Sequence, residues 1–351
     1  MNKYLITILF SLFLSNLVLG SEIQAINSNT DITGHWFLTY NISSDVNQFA
    51  LKRGYLTIKT KMNDVFSVRY TQDITLDQEG SDAGNVEIRL KYLYMKMNLH
   101  NIEFLKNSYL EVGLVHRPWL DFEQNVNNYR VQGKMFLERF SIINSTDFGL
   151  FYTGLIGGII DENYQKTVTI KNPGKYGSYS IGIHNGGGYH AIEQNDNKTI
   201  EGRFTIRPFY SWYPGLQLTY AFTYGKANTE SNLSDFVMNL VYLSSETALG
   251  TFTGQYFIGN GDYGGKYIAD NNASLSSSGY SLFGELNIPN TNFSIFGRLD
   301  EFELDNSNKQ NIYIGGISYK FLKSKLLFDL DYHKDPIETI KVYEIALEIG
   351  F

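Results

Sequence analysis

Charged side chains recur at alternate positions within short stretches of this chain. Arg53 and Lys59 follow the rule, as do Arg69 among its neighbours, then Glu87, Arg89 and Lys91, then Glu111 with Arg117. Further along come Glu201, Arg203 and Arg207, then Glu285, then Arg298 and Asp300, Asp329 and Asp331, and Glu344 with Glu348. A spacing of two places side chains on one face of a β-strand. Unpaired carboxylates on such a face cannot sit in a dry core without a large penalty, so the face demands water. The chemistry open to it is electrostatic: charges along a wet passage attract or repel ions and orient dipolar solutes. The basic members lie mostly on earlier stretches and the acidic ones on later stretches. This predicts opposite charges on opposing walls and a field across the passage.

A second group falls where the alternation stops. Arg117, Trp119, Asp121, Glu123, Glu138 and Arg139 flank or lie within residues 118–146, which read as one long loop folded inward. Charges on such a loop would meet a passing ion at short range and lowered dielectric. The alternative, ion pairs within the loop that fix its shape, is equally compatible with the residues.

Catalytic and metal chemistry find little support. The histidines, at positions 35, 100, 116, 184, 190 and 333, show no H-E-x-x-H or comparable ligand spacing. Asp331 and His333 share a face, but no nucleophile can be assigned to them. Gly259 to Gly264 matches G-x-G-x-x-G in form, yet no helix follows, so it reads as a glycine-turned loop. Asp262, Asp270 and Asn271 nearby suit a solvated loop better than a calcium site. The expectation is no enzyme, no cofactor and no metal.

The elements that must carry these rows are strands whose other face is apolar. Tyr343, Ile345, Leu347, Ile349 and Phe351 alternate with Glu344, Ala346 and Glu348, and Leu326, Phe328 and Leu330 alternate with Asp329 and Asp331. The same pattern places Phe293, Ile295 and Leu299 opposite Arg298 and Asp300, and Phe204 and Ile206 opposite Arg203 and Arg207. Upstream, Val86, Ile88 and Leu90 alternate with Glu87, Arg89 and Lys91, and from Tyr92 the phase slips by one residue, which predicts a bulge. Repeated stretches of this kind are the mark of a transmembrane antiparallel β-barrel. Composition agrees: 26 Tyr, 24 Phe, 32 Gly and only 6 Pro, with a mean hydropathy of −0.22. Aromatic belts and a polar interior account for that combination. A net charge of −7 with no dense basic stripe argues against nucleic acid as a partner.

At the N-terminus Lys3 precedes a nearly unbroken apolar run from Leu5 to Leu19, and Val18 and Gly20 suit a cleavage site. Residues 1–20 therefore read as a signal peptide, 21–32 as a short polar segment and 33–351 as the barrel. The absence of Cys excludes lipoprotein processing and disulfides. Short links at Lys61–Asp64, Tyr210–Gly215, Ser244–Thr247, Ile288–Thr291 and Leu322–Lys325 read as periplasmic turns. Longer polar links alternate with them: Leu76–Asn85, His184–Asn197, Gly225–Ser234, Gly259–Ser276 and Phe302–Lys309. The count is about 16 strands, or about 18 if Lys134–Ile143 and Lys166–Lys171 are strands rather than loop.

Phe136-Leu137-Glu138-Arg139 followed by Asp147-Phe148-Gly149, and Asn185-Gly186-Gly187-Gly188 followed by Asn197-Lys198 and Arg203, carry a resemblance. The chain resembles the phosphate-selective porin O/P family of outer-membrane porins, and the terminal Phe351 resembles the aromatic residue such barrels end on. The resemblance covers most of the chain after the signal peptide. It implies a homotrimer with one pore per subunit, and, in the best-known members, an Arg cluster with a Lys and Arg ladder that selects phosphate. Here the lumenal candidates are mixed in sign. The resulting expectation is a passive porin of the bacterial outer membrane, in contact with lipid and passing small hydrophilic solutes or ions. Its pore would be lined by Arg53, Arg69, Arg89, Lys91, Arg117, Glu138, Arg139, Arg203, Arg298 and Asp300. The alternatives are a channel dedicated to phosphate or organic anions and a surface-recognition barrel acting through its outer loops.

Overall fold

The computed structural model describes residues 29–44, 46–77, 83–230, 234–269, 273–305, 309–335 and 338–351. The expected signal peptide and the residues after it, up to 28, lie outside this set. The first eight strands are β1 (Thr30–Ile42), β2 (Asn47–Lys61), β3 (Phe66–Leu76), β4 (Val86–Asn98), β5 (Leu105–His116), β6 (Thr146–Ile156), β7 (Gly177–His184) and β8 (Thr199–Ile206). The remaining ones are β9 (Leu216–Lys226), β10 (Asp235–Thr247), β11 (Gly250–Asn260), β12 (Ser276–Asn287), β13 (Phe293–Leu304), β14 (Lys309–Phe321), β15 (Ser324–Lys334) and β16 (Thr339–Gly350). Among the described residues three short helices interrupt them: α1 (Pro118–Val126), α2 (Phe136–Arg139) and α3 (Glu162–Thr167). None of the described helices is long and apolar enough to cross a membrane.

Each strand pairs antiparallel with its chain neighbours, and β1 pairs with β16 to close the ring. At the seam Trp36 faces Ile349 and Tyr40 faces Ile345. Closure leaves no edge, so every strand finds its backbone partners within the sheet, as a lipid environment requires. Sixteen strands form the barrel. The eighteen-strand alternative is excluded, because residues 136–139 and 162–167 are helical. β1 begins at Thr30, ahead of the expected start of the barrel. The turn expected at Ser244–Thr247 lies at residues 248–249, since β10 runs on to Thr247.

The alternation read from the sequence sets the two faces. Phe252, Tyr256, Leu282, Ile295, Ile317 and Phe328 are exposed on the outside, while Gln255, Ser281, Ser294, Ser318 and Asp329 are buried on the inside. Besides an irregularity at residues 107–108 of β5 against β6, two bulges break the ladders. Between β1 and β2 the register skips Lys52, and between β3 and β4 it skips Lys91, directly before the phase slip at Tyr92. Each bulge adds one lysine while leaving the alternation on either side intact.

The main apolar core lies inside the ring and is built by the link between β5 and β6. Trp119 and Phe122 of α1 set their rings edge-on to Tyr242 of β10, at 5.0 and 6.2 Å between centroids. Tyr129 lies 4.4 Å from Phe296 of β13. Phe136 meets Phe257 of β11 at 5.6 Å, and Phe140 stacks on Phe302 at 4.5 Å. Residues 117–145 are thus an inward-folded loop glued to the lumenal face of β10 to β13. Truncating Phe136, which is fully buried, removes the centre of this contact. The variant Phe136→Ala is expected to destabilise the loop by about 3–5 kcal/mol. Earlier proteolysis within residues 117–145, with the heat-modifiable barrel retained, is the readout.

Candidate pore and its constriction

The inward loop is fixed at its root by buried charge. Pro118 opens α1, and Arg117 before it is fully buried. Its guanidinium pairs with Glu201 on β8, with Nε 2.6 Å from Oε1. His184 on β7 lies 3.7 Å from the same carboxylate, and its Nε2 approaches the carbonyl of His116 at 3.2 Å. The loop returns beside a second anchor. Asp147 at the start of β6 accepts the backbone N–H of Gly186 at 2.7 Å, and the N–H of Asn185 reaches the carbonyl of Phe148. The two motif stretches that carried the family resemblance therefore touch. Gly186 and Gly188 adopt φ of 117° and 87°, a region open mainly to glycine.

Along its length the loop is strapped to the later strands by their acidic residues. Asp300 holds Arg298 at 2.9 Å and lies 3.7 Å from Arg139, while Arg298 donates to the carbonyl of Lys134. Gln132 donates to both oxygens of Asp331, and Lys52 spans from Glu344 to the carbonyls of Val131 and Gln132. Tyr129 donates to Glu285, which also pairs with Lys320 at 2.6 Å. These carboxylates lie beneath the loop and serve as its anchors. The expected acidic wall facing the basic one across open water is not what the structure forms, because the loop covers it.

Within the loop, Arg130 donates to Glu138 at 3.0 Å. Burial pushes the Glu138 carboxyl up, but Arg130, Lys91, Arg53 and Lys134 outweigh it and hold the group below its usual range. Burial pulls the Arg139 guanidinium down to about 10, reinforced by Arg298. Glu123 is different. One of its oxygens accepts from Gln255 at 2.5 Å, the other has no hydrogen-bond donor, and burial raises its pKa to about 7.

On the wall formed by β2 to β5 several charged side chains keep part of their exposure. Arg53 sits 3.3 Å from Asp73 with 18% of its side chain exposed, and Arg89 sits 3.4 Å from Glu87 with 24% exposed. Arg69 contacts His116 at 3.0 Å and lies over the Tyr92 ring at 4.1 Å. Lys59 is directly opposite Arg69 in register, a like-charge pairing that a sheet tolerates only where water can screen it. Lys96 lies 3.7 Å over the Tyr109 ring. Lys91, inserted by its bulge, donates to Ser145 of the loop between the rings of Tyr55 and Tyr189. Within the loop, Asp121, Asn128, Arg130 and Lys134 retain exposure.

The ten residues singled out in the sequence thus divide by environment. Arg53, Arg69 and Arg89 lie partly exposed on the wall of β2 to β4, and Lys91 joins that wall to the loop. Arg117, Glu138, Arg139, Arg203, Arg298 and Asp300 are packed at the root of the loop, within it or beneath it. Arg203 bonds Ser178 and Thr205 under the Phe122 ring. Alternation alone missed Lys52, an extra bulge residue, and Arg130 and Lys134, which lie where no strand period applies. Asp262 accepts the N–H groups of Gly264 and Tyr267 and so shapes its own loop, while Asp270 and Asn271 lie outside the described residues. Among the described residues no cluster of His, Asp and Glu could hold a metal ion.

No family model and no characterised protein matches this sequence. Solved structures do. A loop-deleted form of OmpT, an outer membrane protein of Vibrio cholerae, matches with a TM-score of 0.61 at 10% identity, covering 92% of this chain and 99% of that one. OmpF of Salmonella typhi, solved with daunomycin, matches at 0.60 and 11%, covering 92% and 98%. An anion-selective porin from Comamonas acidovorans matches at 0.59 and 9%, covering 92% and 99%. The chain has the sixteen-stranded fold of these outer-membrane proteins, and its apolar exterior and closed ladder place it in a bacterial outer membrane.

Two outcomes follow from the loop's anchors. Glu201→Gln leaves Arg117 buried without its counter-charge, at a cost of about 3–5 kcal/mol, and trypsin is expected to cut at Arg130 and Lys134 under conditions that spare the parent. Glu123 binds its proton more tightly folded than unfolded. Its contribution to stability is therefore full below its ordinary pKa and is lost as pH rises through about 7. Loop protection against protease is expected to fall between about pH 5 and pH 8, and Glu123→Gln is expected to flatten that dependence.

Proposed function

We propose that the chain is an outer-membrane porin through which small hydrophilic solutes diffuse passively, with a preference for anions. The observation that carries this reading is the asymmetry of the lumen. Glu285, Asp300, Asp331 and Glu344 of β12, β13, β15 and β16 are engaged in holding the inward loop, whereas the wall of β2 to β4 keeps Arg53, Lys59, Arg69, Arg89 and Lys96 at least partly exposed. Fixed cations in a narrow, partly desolvated passage raise the local concentration of anions. In the orientation usual for such barrels, the termini and the shorter links face the periplasm. Membership of the phosphate-selective porin O/P family rests on the motif resemblance and on the contact between its two motif stretches.

A homotrimer fits the outer surface. Gln72 of β3 faces outward between Leu56 and Leu90. Lipid offers an amide no hydrogen-bond partner there, and a neighbouring subunit can. One Vibrio cholerae OmpT structure is described as a trimer, and we extend that assembly to this chain.

A narrower reading, a channel tuned to organic anions, is favoured by the aromatic rings beside the cations. Lys91 lies between Tyr55 and Tyr189, and Arg69 lies over Tyr92.

The test is conductance of the refolded protein in a planar bilayer, followed by the reversal potential in a KCl gradient. Steps in triplets and a reversal potential of the sign set by chloride are expected. Replacing Arg53, Arg69 and Arg89 together by Glu is expected to move the potential toward the potassium limit. A cation-selective parent protein would overturn the anion preference, and a folded barrel without conductance would overturn the porin reading.

A further inference from the structure

Six of the seven links at the end of the barrel that carries the termini are short. The exception, residues 157–176, joins β6 to β7 and contains α3. It is well built. Asp161 caps α3 by accepting the N–H groups of Asn163 and Tyr164 at 2.8 and 3.3 Å. Arg207 pulls the returning segment against the wall, donating to the carbonyls of Gly174 and Asn172 at 3.1 and 3.0 Å. Tyr164 is buried under that guanidinium and donates to the carbonyl of Glu246 on β10. A link tied to a strand three places away around the ring lies across the mouth of the barrel rather than outside it.

From this link Lys171 extends to the inward loop, where its Nζ lies 2.9 Å from Oδ1 of Asn128. Lys325 of β15 reaches the carbonyl of the same residue at 2.6 Å, with its ammonium 4.0 Å over the Tyr129 ring. Two ammonium groups therefore converge on one neutral residue, Lys171 exposed and Lys325 buried beneath it, and among the described residues neither is in an ion pair. Like charges brought together on neutral acceptors repel each other, and a visiting anion relieves that repulsion. Burial pulls the Lys171 ammonium below its usual range, while Glu348, Glu246 and Asp121 act in the opposite sense.

We infer that residues 157–176 form a second filter in series with the inward loop, at the periplasmic exit, and that Lys171 with Lys325 forms a step in it that receives small anions. This rests on the porin reading. Lys171 is then a specificity-determining residue supplied by a link that most strands of this barrel do without.

The experiment is the reversal potential of the full refolded protein in a KCl gradient, repeated with potassium phosphate, for the parent and for Lys171→Glu, Lys171→Gln and Lys166→Gln. Lys166 lies in the same link, exposed and paired with Glu162 within α3, and so controls for the loss of one charge nearby. Lys171→Glu is expected to lower the anion-to-cation permeability ratio by about fivefold, Lys171→Gln by less, and Lys166→Gln not at all. Retention of the heat-modifiable band shows that each variant is folded. A parent protein that conducts while both Lys171 variants keep its reversal potential overturns the filter. A Lys166→Gln shift as large as that of Lys171→Gln also overturns it, because the effect would then be diffuse. A folded parent without conductance sinks the porin reading itself.

Discussion

Hydrocarbon offers no water to a backbone N–H. Every donor and acceptor that crosses the membrane must find its partner within the protein, and for strands the solution is a ring. The pairing of β1 with β16 is therefore the contact on which the rest depends. With the ring closed, one face of every strand belongs to lipid and the other to the interior, and a period of two suffices to sort the side chains. Apolar residues outside and polar residues inside follow from the seam, whereas a soluble protein arranges them the other way round.

That inversion moves the core. A ring of this size would enclose an open channel, yet here the most deeply buried aromatic residues lie in the middle, where the inward loop meets β10 to β13. The loop covers the acidic strands and engages Glu285, Asp300, Asp331 and Glu344, directly or through Lys52. The charge left facing the passage is thus determined by subtraction. In the proposed pore a chain that is negative overall presents a basic wall, because Glu285, Asp300, Asp331 and Glu344 hold the loop, while among the described residues Lys59 and Lys96 are in no ion pair. The basic side chains of β2 to β4 that keep part of their exposure, Arg53, Arg69 and Arg89, lie on the other side of the ring from β10 to β13.

Much of this was legible in the sequence. The repeat of alternating stretches gave the barrel, and the slip at Tyr92 located the bulge at Lys91, because a bulge is the only cheap way for a strand to change phase. The second bulge, at Lys52, left no such trace: Leu51 and Gly54 flank it without a clear alternation. Residues 134–143 and 166–171 could be read as strands because ten and six residues of mixed polarity fit either period. Only their place in three dimensions, across the lumen and across its mouth, made them helical or irregular. The fate of individual charges was out of reach for the same reason. Arg117 and Arg53 look alike in sequence, but one begins a loop that must cross to β8 and is sealed there, and the other stays on the β2 wall beside Asp73 and keeps part of its side chain exposed.

The two bulges have a consequence for how such a pore changes over generations. Lys52 and Lys91 are surplus to the ladder, so the residues before and after each already keep the correct inside and outside order without it. Loss of either codon removes an interior cation and leaves the lipid-facing sequence in frame with its neighbours. Gain of a codon at such a place does the reverse. Charge in the passage can therefore drift by single-codon insertion and deletion, a kind of mutation that would turn an ordinary strand inside out.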